Sequence, residues 1–292
     1  MNDKNELTTV FEAHRDHLRA VAYRMLGSLS EAEDAVQETW LRLERTDTGD
    51  VRNMGGWLTT VVGRVCLNLL RSRRTRGEEP LEPLEPRMPD PVVTSAEGMD
   101  PEREALLADS VGLALLVVLQ TLEPAERLAF VLHDMFAVPF EEIAPVVERT
   151  PAATRQLASR ARRRVQGATV APDADLARQR EVVDAFMAAS RAGDFDALVA
   201  VLDPDIVLRA DQGGSPRSWL EVRGALEVAG RAFMFRRFAA YARPVLVNGV
   251  SGVLTEMDGR VRSLMAFTVA GGRVVAIDIL ADEERLAELK TA

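Results

Sequence analysis

The sequence predicts a multidomain chain: two all-α helical modules, the second carrying a helix–turn–helix, followed by an α+β module. Three observations carry this expectation. Apolar residues recur at helical spacing through residues 5–76 and again through 102–168. Between them, 77–101 hold six prolines among acids. Beyond 202 the pattern turns extended, with β-rich runs at 205–210, 243–254, 261–270 and 273–280.

In the first module, Phe11, Leu18, Val21, Ala22 and Met25 mark one apolar face, and Gly27 is placed to cap it. Ser30 and Glu33 have the spacing of a capping box opening a second helix, whose Ala32, Val36, Thr39 and Leu43 face inward. A third helix follows Asn53, with Leu58, Val61, Val62, Val65 and Leu69 on its buried side. Segment 77–101 is expected to be an extended linker, because proline fixes φ and removes a donor. Helices resume over 102–168. Two more are expected over 176–202 around Gly193-Asp194, and another over about 222–238. The last two β-runs join at Gly271-Gly272, giving a curved antiparallel sheet over 176–292.

The charge balance is uneven. The chain of 292 residues has net charge −9, which by itself argues against nucleic acid. Residues 77–109 hold ten acids against Arg87 and Arg103, a local balance of −8, so the remainder is near neutral. Its arginines bunch at 71–76 and 160–164, and local clusters govern DNA binding more than the whole-chain sum. No apolar run reaches the roughly 18 residues of a membrane span, and MNDKNELTTVFEAH is not expected to act as a secretion signal, having no apolar stretch. A single cysteine, Cys66, sits in an apolar helical run and suits the reducing cytoplasm. No cofactor or metal motif is present.

The strongest local motif covers 139–165. Ile143, Ala144 and Val147 give its first helix an apolar face, Thr150 is an N-cap, and Pro151 takes the first helical position. The second helix is expected to bury Ala153, Leu157, Ala161 and Val165 at a spacing of four. It would then present Thr154, Arg155, Gln156, Ser159, Arg160 and Arg163 to a major groove, where Arg reads guanine and Gln reads adenine. Arg162 to Arg164 would contact phosphates. Two features depart from the usual pattern: Glu148 stands in the turn where glycine is common, and Pro145 should kink or shorten the first helix.

Residues 10–165 resemble the extracytoplasmic-function sigma factors of the sigma-70 family. AYRMLGSLSEAEDAVQETWLRL (22–43) is similar to that family's second region, WLTTVVGRVCLNLLRSRRTR (57–76) to its −10-engaging segment, and LEPAERLAFVLHDMFAVPFEEIA with the helix after it to its −35-reading fourth region. The resemblance implies sigma region 2 over 1–76, region 4 over 102–168, and core RNA polymerase and promoter DNA as partners. Glu31, Asp34, Gln37 and Glu38 would dock on the largest-subunit coiled coil, with the flap as a second polymerase contact. Asn68, Arg71, Arg73, Arg74 and Arg76 would hold the opened −10 region, although Asn68 stands where relatives often carry aspartate. Trp57 is either a core residue or a stacking platform.

Residues 176–292 resemble the SnoaL-like branch of the cone fold of ketosteroid isomerase, a fusion that in a sigma-factor subgroup modulates activity. Arg209, Asp211, Trp219 and Asp278 are the candidate pocket residues, with an unidentified small molecule as ligand. At three places the chain departs from the subgroup: Ser215 replaces a lysine closing the loop that starts at Asp211, the tail motif is reduced to 281–285, and the linker motif to 87–91. Two other readings compete with the sigma factor. One is a ligand-sensing helix–turn–helix regulator acting without polymerase; the other is a DNA-tethered enzyme using Asp211 or Asp278 as acid or base.

Overall fold

The computed structural model describes residues 2–47, 49, 51, 53–76, 87–95, 112–168, 170–213 and 218–289. It divides into two compact units, Met1–Leu84 with Val118–Ala168, and Glu85–Val117 with Thr169–Ala292. Among the described residues no helix is long and apolar enough to cross a membrane.

The first unit begins with α1 (Asn2–Leu26), α2 (Leu29–Leu43) and α3 (Met54–Arg76). Phe11, Leu18, Val21, Ala22 and Met25 are all buried, as their spacing predicts. Gly27 ends α1 at φ 73°, a conformation favoured by glycine, and its N–H returns to Tyr23 O at 2.8 Å. The predicted capping box does not form. Ser28 occupies the N-cap of α2 without a side-chain bond, and Glu33 turns instead to Arg15 and Arg19 of α1. Two arginines on the neighbouring helix outbid one backbone N–H for that carboxylate. Asn53 caps α3 through Gly56 N at 3.0 Å.

The rest of this unit comprises the end of α4 (Leu113–Gln120), then α5 (Pro124–Phe130) running into a π turn (Val131–Met135), α6 (Phe140–Val147) and α7 (Pro151–Ala168). These helices pack directly on the first three. A Cβ at Gly63 of α3 would stand 3.1 Å from δ-carbons of both Leu128 and Leu132, so glycine permits the close approach. This second neighbour explains why α3 buries Cys66, Leu67 and Leu70 in addition to the face its periodicity predicts, whereas Val61 and Leu69 are only half-buried. Burial pushes the Cys66 thiol up to about 12, as befits an inert core residue.

The second unit is a seven-stranded sheet with helices α8 (Leu176–Ala192), α9 (Phe195–Val201), α10 (Ala225–Met234) and α11 (Glu283–Ala287). Its strands are β1 (Val93–Ser95), β2 (Leu202–Asp211), β3 (Trp219–Arg223), β4 (Ala242–Val247), β5 (Val250–Met257), β6 (Arg260–Ala270) and β7 (Arg273–Leu280), in the order β1-β4-β5-β6-β7-β2-β3. A 3-10 turn, Arg236–Tyr241, follows α10. The helix-facing side of the sheet is a packed core, with Phe186 and Phe267 edge to face at 5.4 Å among Leu198, Ile206, Leu208 and Ile277. Each such side chain contributes about 1.5–3 kcal/mol on burial.

Three sequence expectations are corrected here. The run 243–254 is two strands joined at Asn248-Gly249, whose φ values of 50° and 76° are those of a hairpin turn. The sheet is mixed, because β2 lies parallel to β7, a pairing that the long crossover between them permits. Finally, part of the linker is a packed element: β1 adds an edge strand to β4, with Val93 opposite Val247, and Met88 is fully buried. Linker residues 77–86 and 96–101, Gly214, Ser215 and the helix expected to start at 102 lie outside the described residues.

Candidate functional site

The helix–turn–helix forms where its motif predicts. Glu148 closes α6 in the left-handed region at φ 58°, and Thr150 Oγ1 accepts from Ala153 N at 3.2 Å to open α7. Pro145 lies in α6, which is only eight residues long. The inward stripe of α7 is Thr154, Ala158, Ala161 and Val165, not the predicted 153, 157, 161 and 165. A strict spacing of four drifts about 40° per step on a helix of 3.6 residues per turn, so a stripe must alternate four and three. Thr154 is consequently fully buried, its hydroxyl donating to Thr150 O at 3.0 Å, and does not belong to the exposed face.

That face consists of Arg155, Gln156, Ser159, Arg160 and Arg163. The Arg155 guanidinium sits 5.2 Å above the Phe140 ring, a cation–π contact that steadies it. Arg162 and Arg164 are tied back to the module, to Asp134 at 2.8 Å and Glu126 at 3.2 Å. Arg163 stays at the surface.

On α2, Asp34 and Gln37 are exposed, and Glu31 and Glu38 are half-exposed beside them. Glu38 pairs with Arg42 at 2.9 Å, one turn on, and Glu31 pairs with Arg73 of α3. The acidic face and the basic end of α3 thus touch at one edge. Asn68 and Arg71 are exposed on α3, with Arg71 reaching Glu148 at 3.7 Å. Helix α3 extends through Arg74 and Arg76, whose side chains lie outside the described residues. Trp57 is half-buried.

A contact that no local signal announces joins the two helical modules. Arg127 is buried, donating through Nη1 to Met25 O at 2.8 Å and through Nη2 to Gln120 O at 2.7 Å. Burial, with Arg73 nearby, lowers its pKa to about 10, so it stays charged at neutral pH. Phe136 adds His17, edge to face at 5.1 Å, and Arg24 over its ring at 4.9 Å.

In the second unit, Asp211 accepts three hydrogen bonds. Its Oδ2 accepts from Met88 N at 2.9 Å and Arg285 Nη1 at 2.8 Å, and its Oδ1 from Gly213 N at 3.1 Å. Arg285 goes on to Met88 O at 2.6 Å and Asp90 at 2.9 Å. Gly213 has φ 69°, and a Cβ there would meet the Asp282 carboxyl at 2.3 Å, so only glycine fits. Three segments, 87–91, 211–213 and 282–285, therefore meet in one buried network.

Arg209 and Asp278 form a separate pair one register step away, with Arg209 Nε 2.9 Å from Asp278 Oδ1. The angle makes this an ion pair and not a well-directed hydrogen bond. Burial outweighs the neighbouring guanidinium and raises the Asp278 carboxyl to about 6. Trp219 stands opposite Asp211 on β3 and is half-buried. The four predicted residues are thus neighbours on the β3-β2-β7 end of the sheet, in two separate contacts, Asp211 opposite Trp219 and Arg209 against Asp278. A cleft of about 30 Å³ between α8 and β4–β5, the size of one water, lies elsewhere. Among the described residues no group of His, Cys, Asp and Glu is placed to hold a metal.

An exposed basic helix on a helix–turn–helix, preceded by a three-helix module with an acidic face, defines a two-region transcription initiation factor. The family description "Sigma-70 region 2" matches residues 10–76, and "Sigma-70, region 4" matches 112–165. The chain belongs to the extracytoplasmic-function (ECF) RNA polymerase sigma factors. It is 40% identical to ECF RNA polymerase sigma factor SigJ of Mycobacterium tuberculosis, across 94% of this chain and 91% of that one. To the probable ECF sigma factor SigI of the same species it is 34% identical, across 99% and 98%. The crystal structure of M. tuberculosis SigJ matches with a TM-score of 0.76 and 37% identity, covering 98% of this chain and all of that one. Promoter-directed initiation by RNA polymerase is accordingly its function, and core polymerase and promoter DNA are the partners of its class.

Proposed function

We propose a division of labour within that function. Asp34, Gln37 and Glu38, with Glu31 at the edge, engage the polymerase coiled coil, and the region 4 module meets the flap. Asn68, Arg71, Arg73, Arg74 and Arg76 hold the opened −10 strand, and Arg155, Gln156, Ser159, Arg160 and Arg163 read the −35 element. These assignments place region 2 at 1–76 and region 4 at 102–168, with a domain at 176–292 that modulates output by gripping the linker through Asp211 and Arg285. The chain acts in the cytoplasm and as a binder, without turnover of its own. Asp211 supports that last point, since three donors hold its carboxylate and fix it in place, a structural use of the group.

The observation that carries the reading is the α7 face, five polar readers above a stripe of small buried residues. Geometry adds a requirement. The −10 and −35 elements lie about 25 base pairs apart, roughly 85 Å of duplex at 3.4 Å per pair. A compact unit of this size has a radius of gyration near 14 Å. Helical modules locked through Arg127 would not reach both elements, so they separate when promoter is engaged on polymerase.

Run-off transcription with purified core polymerase tests the whole. Stimulation at a subset of promoters is expected, and Arg155→Ala should shift the −35 preference. Binding of duplex promoter with no stimulation of polymerase anywhere would return the question to a polymerase-independent regulator.

A further inference from the structure

Residues 231–243, RAFMFRRFAAYAR, interleave arginine with aromatic rings, and no acid occurs between 228 and 255. In a chain of net charge −9 this is a marked local reversal. The segment forms the end of α10 and the 3-10 turn after it. Helix α10 buries only Val228 and Ala229, so its other side faces water. Met234, Phe235 and Tyr241 are 62%, 59% and 52% exposed, which is costly for side chains of that size.

The rings and charges are already arranged. Phe235 and Phe238 stack at 6.3 Å with 29° between planes, the Arg237 guanidinium lies 4.7 Å above Phe238, and that of Arg236 lies 4.3 Å above Phe233. Arg191 is fixed nearby by Ala239 O at 3.1 Å, and with Arg180 and Arg243 it lines the small cleft beside α8, where Asp184 is the one acid. Asp194, which adjoins the patch, is occupied in capping Ala197 N at 3.0 Å.

We propose that this α10 surface binds single-stranded nucleic acid, with a base stacking on the exposed face of Phe235, which Phe238 backs, and phosphates held by Arg236, Arg237 and Arg243. Each part has a physical role. An exposed ring offers a stacking face to any base, worth about 1–3 kcal/mol per base, and basic side chains track the backbone. Guanidinium groups parked on rings lose less freedom on meeting phosphate than free arginines would. A duplex hides its base faces, so it would use the arginines and leave the rings idle. A run of acidic side chains would likewise engage the arginines alone. The combination of open rings with arginines therefore favours unpaired bases.

The test uses the full-length chain and an oligothymidylate of about 20 nucleotides carrying 5-bromodeoxyuridine, cross-linked by light and mapped by mass spectrometry. Cross-links within 231–243 are expected alongside those in residues 1–168, and Phe235→Ala should remove them. R236E/R237E should weaken oligothymidylate binding about tenfold and lower its salt dependence, with duplex −35 binding and thermal melting unchanged because both residues are exposed. Cross-links confined to 1–168 would overturn the proposal. So would protection of 231–243 by polyglutamate at concentrations where oligothymidylate gives none, which would make the surface an acidic-peptide site. Neither result touches the sigma assignment, which run-off transcription decides separately.

Discussion

Arg127 of α5 holds the carbonyl of Met25, the penultimate residue of α1, through a 2.8 Å hydrogen bond made inside the region 2–region 4 contact. The bond matters because a helix C-terminus leaves carbonyls without partners. Arg127 satisfies one of them on α1 and a second at the end of α4. Arg127→Met keeps much of the volume and deletes both bonds. The buried Met25 carbonyl then lacks this donor, at a cost of about 1–3 kcal/mol, and the part-buried Gln120 carbonyl adds less because water can reach it. A lower urea midpoint for the helical unit and a larger radius of gyration in X-ray scattering are expected; identical values for both would show that the contact holds nothing.

The α2 face gives a graded expectation. Asp34→Asn with Glu38→Gln should weaken association with core polymerase by at least about tenfold in a binding titration. Glu31→Gln alone should do less, since its carboxylate is engaged by Arg73. Equal binding of the double variant and the parent would remove this face from the polymerase contact.

Arg155 and Thr154 are adjacent in sequence and opposite in exposure. Arg155→Ala should cost about 1–3 kcal/mol at the −35 element and relax its base preference. Thr154→Val, which keeps the shape and loses one hydroxyl bond, should leave DNA affinity unchanged in gel-shift titrations. A DNA defect in Thr154→Val that exceeds its loss of stability would mean that the buried threonine participates after all.

The grip on the linker rests on Arg285. Replacing it by Met abandons the buried Asp211 carboxylate, at a cost of about 3–5 kcal/mol, and frees 87–95 from the sheet. Limited proteolysis should cut that segment faster, and run-off output should change with it. Asp211→Asn added to Arg285→Met should recover part of the stability, because the orphaned charge is gone. If the linker remains as protected as in the parent, the network is not what retains it.

Asp278 predicts a pH signature. Burial holds its carboxyl at about 6, above the ordinary 3.8, so the folded domain binds this proton more tightly than the unfolded chain does. Its stabilising contribution is complete below about pH 4 and is lost as the pH rises to about 6, a difference near 3 kcal/mol. The stability of the parent minus that of Asp278→Asn, followed by urea unfolding, should therefore fall by about 3 kcal/mol as the pH rises across that window. A constant gap would show that Asp278 titrates normally.

Much of the fold is legible in the sequence. Gly27, Asn53, Thr150 and Gly271-Gly272 are local punctuation, and each terminates or starts its element as its chemistry requires. The exposed α7 face was recognisable because arginine and glutamine sit opposite a stripe of small apolar residues, and only Thr154 was misplaced, through a spacing rule that ignores helical drift. The Asn248-Gly249 hairpin carried a usable signal that an unbroken β-rich run concealed. Arg209, Asp211, Trp219 and Asp278 were rightly placed in one neighbourhood, but which of them touch depended on register.

What the amino-acid order alone determined is whatever is decided within a few residues: helical faces, caps, turns, the uneven charge, and hence the two promoter-binding modules in series. Tertiary structure alone decided that Arg127 meets Met25, that Asp211 meets Met88, and that Arg285 reaches back to Met88, across separations of 102, 123 and 197 residues. Periodicity assigns a side chain to a face, and nothing in it names the distant backbone group that will fill that chain's hydrogen-bonding capacity once both are taken out of water.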